Sequence, residues 1–106
     1  MMHFTSFLDD GHLTVVLTGE IDHSCAKGYI SGIAAKIEAY TPEICVLDFS
    51  EVTFMDSSGI AVVINALRGM NAVAGQLRLE GIGSQPLRVF RASGIDKLID
   101  IQEAVL

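Results

Sequence analysis

Hydrophobic and polar residues alternate with a period of two near the start of the chain. Every second residue from Leu13 to Leu17 is apolar, which is the pattern of a strand with one buried face. The turn signal Asp9-Asp10-Gly11 precedes this run. Residues 3–8 and 12–18 are therefore predicted to form an antiparallel β-hairpin.

The period then changes to that of a helix, from Ser24 to about Tyr40. Apolar residues recur at i, i+3, i+4 and i+7, so one stripe of this helix is predicted to face a core. The stripe consists of Ile30, Ile33, Ala34 and Ile37. Pro42 marks the end of the helix, and the β-rich run Ile44–Phe49 predicts a central strand buried on both faces.

The rest of the chain continues the alternation of helices and strands. The predicted elements are a helix over 57–71 that ends near Gly75, a strand over 76–80, a turn at 81–83, an N-capped helix that begins at Ser84-Gln85-Pro86 and stops at Gly94, a short strand over 98–101, and the start of a helical turn over 102–106. This order predicts an α/β fold in which a mixed sheet of about four or five strands is covered by helices. Because the strands of a hairpin are antiparallel, the sheet is not purely parallel.

Composition narrows the class of protein. With 106 residues, half of them hydrophobic, the chain suits one domain, residues 1–106, with an ample core. The longest apolar run, Ile60–Ile64, is far shorter than the roughly 18 residues that span a bilayer, so no membrane association is expected. Seven Lys and Arg residues against 13 Asp and Glu residues give a net charge of −6, which disfavours nucleic-acid binding through a basic face.

The sequence also shows no targeting signal and no metal-ligand spacing. The first residues contain no basic segment followed by an apolar stretch, so a cytoplasmic location is expected. Cys25 and Cys45 lack CxxC spacing and are expected to be reduced; Cys45 suits a buried position, whereas Cys25 lies near a helix start, where a thiol can become more acidic. His3, His12 and His23 fall in different elements, so no metal and no cofactor are predicted.

One segment carries chemistry, where the strand that begins at Ile44 leads through a loop into the second helix. Asp56, Ser57 and Ser58 stand side by side and are followed by Gly59. Each of the three side chains can accept a hydrogen bond from a free N–H group of the first turn, although one cap suffices. A helix N-terminus also favours an anion such as phosphate. The redundancy therefore favours a functional use in addition to capping.

In this segment the sequence resembles the STAS-domain anti-sigma factor antagonists of bacteria. The resemblance covers nearly the whole chain and rests on Leu17–Asp22, on Val46–Phe49 leading into Phe54–Ile60, and on Val89–Ile95. It implies a regulatory phosphoprotein that is not an enzyme. Its implied partners are an anti-sigma factor with serine kinase activity, from which it frees a sigma factor, and, when it is phosphorylated, a PP2C-type phosphatase.

The resemblance also implies roles for individual residues. Ser57 directly follows the aspartate of the Asp-Ser-Ser-Gly block and is the implied phosphorylation site, where phosphate is expected to block binding. Ser58 is expected to act mainly as a helix cap. The expected partner-binding residues are Gly19, Glu20, Asp22, Asp56, Ser58, Gly59 and Ile60. For Asp22, the N-cap of the first helix is an equally good interpretation.

Three further interpretations compete with this one. A STAS domain that is never phosphorylated would serve as an adaptor subunit of a transporter or another signalling complex, with Ser57 only as a cap. A serine hydrolase would need the G-x-S-x-G pattern, but Met55 or Asp56 stands where its first glycine belongs. An acyl carrier would be all-helical, which contradicts the predicted strands.

Overall fold

The computed structural model of the protein describes residues 3–103. These residues form five strands and three helices. The elements are β1 (His3–Asp9), β2 (His12–Ile21), α1 (His23–Tyr40), β3 (Ile44–Met55), α2 (Ser58–Ala72), β4 (Gln76–Ile82), α3 (Ser84–Ser93) and β5 (Asp100–Glu103). A short 3₁₀ turn, Ile95–Lys97, links α3 to β5. No helix within the described range is long and apolar enough to cross a bilayer.

The order of the strands in the sheet is the same as their order along the chain. β1 and β2 form the predicted antiparallel hairpin, and the other neighbouring strands pair in parallel. Crossovers between parallel strands are almost always right-handed, so three steps in the same direction place all three helices on one face of the sheet. The α/β fold with a mixed, helix-covered sheet is confirmed.

Burial along the strands follows from this one-sided arrangement. The side chains on the helix-covered face are buried; they include Leu13, Val15, Leu17, Cys45, Leu47, Leu77 and Leu79. The prediction that β3 is buried on both faces is wrong, because Ile44, Val46 and Asp48 on the other face are only half-buried. β3 pairs with β2 on one side and β4 on the other, but no helix of residues 3–103 covers this face of the sheet.

α1 buries part of the predicted stripe: Ile33 and Ile37 are buried as predicted, and Ile30 is half-buried. Ala34 is exposed, whereas Tyr29 is fully buried, and its hydroxyl donates a hydrogen bond to the carbonyl of Thr18 at 3.0 Å. The Tyr29 ring lies 6.0 Å from that of Phe4. A side chain at Gly32 would collide with the Phe4 ring, so this glycine lets β1 pack against the helix.

The start of α3 and the end of the described chain differ from the prediction. No side chain caps α3, whose first residue is Ser84, although Gly94 ends that helix in the predicted left-handed conformation, with φ 81°. The last strand covers Asp100–Glu103, so the helical turn predicted for 102–106 is wrong for its first two residues. Residues 104–106 lie outside the described range.

The edge of the sheet that contains the hairpin turn is closed by backbone hydrogen bonds. The Glu43 N–H donates to the carbonyl of Gly11, and the Gln76 N–H donates to the carbonyl of Glu43, both at 2.9 Å. These bonds join the β1–β2 turn, the α1–β3 loop and the α2–β4 loop. The carboxyl ends of β2, β3 and β4 lie at the opposite edge.

Candidate functional site

The Asp-Ser-Ser-Gly segment lies at the carboxyl end of β3, beside the end of β2. β3 extends to Met55, well past the predicted end at Phe49, because its second half pairs with the end of β2. The Asp56 N–H then donates to the carbonyl of Ile21 at 3.0 Å. This bond brings the end of β2, which contains Glu20, and the adjoining Asp22 alongside the start of α2.

Ser57 occupies the N-cap position of α2 with helical backbone angles, φ −63° and ψ −16°, and its side chain makes no capping hydrogen bond. The residue is exposed. Within residues 3–103 its hydroxyl has no hydrogen-bond partner. The oxygen is therefore free to react or to be recognised from outside.

The cap of α2 comes from the residue before Ser57. Asp56 Oδ1 accepts a hydrogen bond from the Ser58 N–H at 2.8 Å. The carbonyl of Asp56 accepts from the Gly59 N–H, and that of Ser57 from the Ile60 N–H, both at 3.1 Å. The prediction that Ser58 is the main cap is wrong, because the Ser58 side chain makes no capping bond and its backbone is the capped donor.

Gly59 and Ile60 differ sharply in what they present to solvent. Gly59 is buried, and a side chain there would collide with Met55, so this glycine lets the helix start lie close to the end of β3. Ile60 is half-buried and faces a groove.

An open, mainly apolar groove of about 470 Å³ runs between α2 and α3 and reaches Ser57. It is lined by Ser57, Ile60, Gln85, Arg88, Val89, Ala92 and Ser93. Gln85 also contacts the end of β3 directly: its Oε1 accepts from the Met55 N–H at 2.8 Å and its Nε2 donates to the Met55 carbonyl at 2.7 Å. Sequence reasoning missed Gln85, because a glutamine in the first turn of a helix carries no signal of a contact 30 residues away.

The β2–α1 connection is held by Asp22, the observed N-cap of α1. Its Oδ1 accepts from the Ser24 and Cys25 N–H groups at 3.0 and 3.2 Å and from the Ser24 hydroxyl at 2.7 Å. Hydrogen bonds from Ser24, then from Cys25, hold the pKa of Asp22 below its ordinary value of 3.8. The capping interpretation of Asp22 is confirmed. Glu20 is exposed, and Gly19 has a φ of 83° that favours glycine.

Cys25 lies at the helix start, where a thiol can become more acidic, but its pKa is raised and not lowered. Partial burial is the main cause that raises the pKa of its thiol. The sulfur accepts a hydrogen bond from the Asp22 N–H at 3.3 Å and completes a capping box. Cys45 is buried, and this burial raises the pKa of its thiol to about 12. Both cysteines are free thiols.

Metal-ligand and nucleophile geometry can be compared directly in the part of the chain that the structure describes. No three His, Cys, Asp or Glu side chains there are placed to hold a metal ion. Neither Ser57 nor Ser58 donates a hydrogen bond to His12 or His23, whereas a nucleophilic serine needs an adjacent base.

The family is decided by comparison with known proteins. The STAS domain family model matches residues 8–105, and an anti-sigma F factor antagonist from Lysinibacillus sphaericus is 32% identical over 95 residues, which is 89% of this chain and 81% of the relative. The chain belongs to the STAS-domain anti-sigma factor antagonist family. An anti-sigma-B factor antagonist from Listeria monocytogenes is also similar to this STAS domain, with 27% identity over 97 residues, 89% of this chain and 82% of the relative.

Solved structures agree with this assignment. The unphosphorylated form of the anti-sigma factor antagonist SpoIIAA matches the STAS domain with a TM-score of 0.80 and 26% identity, over 93% of this chain and 87% of the other. SpoIIAA from Bacillus in its phosphorylated form matches with a TM-score of 0.72, over 93% and 90%. These relatives are regulatory binding proteins rather than known enzymes.

Proposed function

We propose that this STAS domain is the phosphorylation-controlled arm of a partner-switching system in the cytoplasm. In its unphosphorylated form it binds an anti-sigma factor that is also a serine kinase, and a sigma factor is released. Phosphorylation of Ser57 by that kinase ends the complex, and a PP2C-type phosphatase restores the binding form. The domain is then a ligand and a substrate, and it catalyses no reaction itself.

The observation that carries the proposal is the state of the Ser57 hydroxyl. It is exposed and makes no capping bond, while the bonds of Asp56 to Ile21 and to Ser58 hold the backbone on both sides of it. An acceptor for phosphoryl transfer needs a free oxygen held in a defined position. The existence of SpoIIAA in a phosphorylated form supports this chemistry for the family.

The charge of the phosphate on Ser57 would control partner binding. A phosphate adds about −1.5 to −2 at pH 7 and takes the formal charge of the chain from −6 to about −8. It would stand at the start of α2, close along the chain to Asp56 and on the same edge of the sheet as Glu20 and Asp22. Repulsion and the cost of desolvating the phosphate weaken the contact that the unphosphorylated edge makes with the anti-sigma factor, without refolding the domain.

The main partner-binding candidates lie on this edge and along the groove beside it. Glu20 is exposed, and Asp22, Asp56 and Ile60 are partly exposed. We propose that these side chains contact the anti-sigma factor. Gly19, Ser58 and Gly59 support the same surface through the backbone shape and packing described above.

Affinity capture from a native lysate, with ADP or with ATP, tests the proposal when it is followed by mapping of phosphorylated residues. We expect an anti-sigma factor kinase to be retained with ADP and released with ATP, with phosphate on Ser57. The Ser57→Ala variant should stay bound in ATP, and Ser57→Asp should bind poorly.

Two outcomes would contradict the proposal. One is equal affinity of the Ala and Asp variants for the captured kinase. The other is nucleotide-independent recovery of a transporter subunit with no phosphate on Ser57, which would identify the domain as an adaptor.

A further inference from the structure

The end of β3 lacks a neighbouring strand on one side. Pairing between β3 and β4 ends at Asp48 and Glu80, whereas β3 continues for seven more residues to Met55. Over this stretch β2 remains paired on the other side. The backbone of Met55 would therefore face α3 with an unpaired N–H and carbonyl, which is costly for a buried residue.

The side chain of Gln85 takes the place of the missing strand. Its carboxamide accepts from the Met55 N–H at 2.8 Å and donates to the Met55 carbonyl at 2.7 Å, which reproduces both bonds of a strand neighbour. The side chain of Met55 is fully buried and is in contact range of Gly59. Met55 is thus held by its backbone and by its side chain.

This contact lies two residues before Ser57. On the β2 side, the same loop is held by the bond from the Asp56 N–H to the Ile21 carbonyl. Without Gln85 the backbone of the loop would be hydrogen-bonded to the sheet from the β2 side alone. Gln85 and Ser57 also line the same groove between α2 and α3, so the contact ties α3 to the loop that carries the serine.

From this geometry we infer that Gln85 is a positioning residue for phosphoryl transfer to Ser57. The inference rests on the proposed function. No hydrogen bond joins Gln85 to the Ser57 hydroxyl among the described residues; Gln85 acts through Met55 by holding the loop in one place. Because a displacement of about 1 Å can cost roughly a hundredfold in rate, loss of this contact should lower the turnover of phosphorylation more than the affinity of docking.

The test uses the full chain and three variants. Gln85→Ala removes both bonds, and Gln85→Glu keeps the acceptor for the Met55 N–H but loses the donor to its carbonyl. Ser84→Ala changes an exposed neighbour in the same helical turn, for which no contact with Met55 is found, and is the matched control. Hydrogen exchange of the Met55 amide is measured by NMR in the isolated protein, and steady-state kinetics of Ser57 phosphorylation are measured with the captured kinase.

In Gln85→Ala we expect amide exchange at Met55 to accelerate by roughly fivefold or more and kcat to fall by about tenfold or more with a much smaller change in KM. Gln85→Glu should lie between this variant and the wild type, and Ser84→Ala should match the wild type. If Gln85→Ala does not fold, Gln85→Glu alone decides, by the same two readouts.

Failure of the inference is distinguishable from failure of the proposed function. If the wild type is phosphorylated at Ser57 but the Gln85 variants keep its kcat, the positioning role is overturned. Unchanged exchange at Met55 overturns it as well. If the captured partner does not phosphorylate the wild type at all, the proposed function itself fails.

Discussion

The starts of α1 and α2 have similar sequences, but they differ in whether a serine hydroxyl takes part in the cap. Asp22-His23-Ser24-Cys25 begins α1, and Asp56-Ser57-Ser58-Gly59 begins α2. In α1 the aspartate is the N-cap itself, and the nearby serine hydroxyl donates to it at 2.7 Å. In α2 the aspartate stands one residue earlier, before the N-cap Ser57, whose hydroxyl makes no capping bond. The aspartate is thus shifted by one residue relative to the N-cap. This shift leaves the serine hydroxyl bonded to the aspartate in α1 and without a capping bond in α2.

Residue types at a helix start do not by themselves decide whether a serine hydroxyl is available. Both sites have an acidic cap and an exposed serine. In α1, Ser24 is used to complete the cap and to lower the pKa of Asp22. In α2, Asp56 satisfies the first amide without using Ser57. The free serine is the one that the cap does not need.

The largest effect that separates the two sites concerns phosphorylation. Ser57→Ala should abolish phosphate incorporation by the captured kinase, whereas Ser24→Ala should leave it at the wild-type level, because the Ser24 hydroxyl is already bonded to Asp22. Phosphate incorporation with labelled ATP, followed by peptide mapping, measures both. Phosphate found on Ser24 in either protein would break the comparison.

A second test compares the fourth residues of the two segments. Gly59→Ala should lower the free energy of unfolding by about 1–3 kcal/mol, because the added methyl group overpacks the buried Met55. Cys25→Ala is the matched change in α1 and removes the weak thiol contact of the capping box, so a smaller loss of about 0.5–1 kcal/mol is expected. Urea unfolding of both variants decides, and a Gly59→Ala protein as stable as the wild type would contradict the close packing at α2.

The stability that the Asp22 cap of α1 gives to the folded protein should also depend on pH. The pKa of Asp22 is lowered in the folded state from 3.8, so its carboxylate favours folding fully above the unfolded pKa and loses this contribution as pH falls through the folded pKa. The difference in Tm between wild type and Asp22→Ala should thus be constant near neutral pH and shrink in acid. Thermal unfolding followed by circular dichroism measures the gap, and a gap that grows in acid would reverse the assigned sign.

The smallest expected effect is on thiol reactivity. Partial burial raises the pKa of Cys25 above its ordinary value of 9.0, so the thiol at the start of α1 should alkylate slowly at neutral pH and faster as pH rises. Cys45 should react only after unfolding, because it is fully buried with a pKa of about 12. Timed iodoacetamide labelling with mass spectrometry checks the order. Fast labelling of Cys25 at pH 7 would contradict the raised pKa of this thiol.

Local pattern predicted those parts of the fold that depend on nearest neighbours along the chain. The hairpin, the three helices and the αL stop at Gly94 follow from period and turn residues. The second half of β3 was beyond this reasoning, because Ser50–Met55 mixes polar and apolar residues and forms a strand only through pairing with β2. Tyr29 was missed in the buried stripe because its polar hydroxyl finds a partner only in the folded chain.

The candidate site also has some features that local sequence predicts and others that depend on the folded chain. The Asp-Ser-Ser-Gly block is visible in the sequence because its residue types are those of a helix start. Which of its side chains caps, and which stays free, depends on backbone angles at Ser57 that the sequence does not reveal. The contact between Gln85 and Met55 joins residues 30 apart in the chain, and no local sequence pattern predicts it.

The hydrogen bonds at the hairpin-turn edge of the sheet indicate where the protein can be attached to a surface. The β1–β2 turn is tied to its neighbouring loops through Gly11 and Glu43, and the length of β3 separates it from Ser57. A surface linker or dye attached next to this turn, at the exposed Asp9, would leave the opposite edge facing the solution. The chain can therefore be immobilised in one orientation for real-time measurement of partner exchange, with the serine fully accessible.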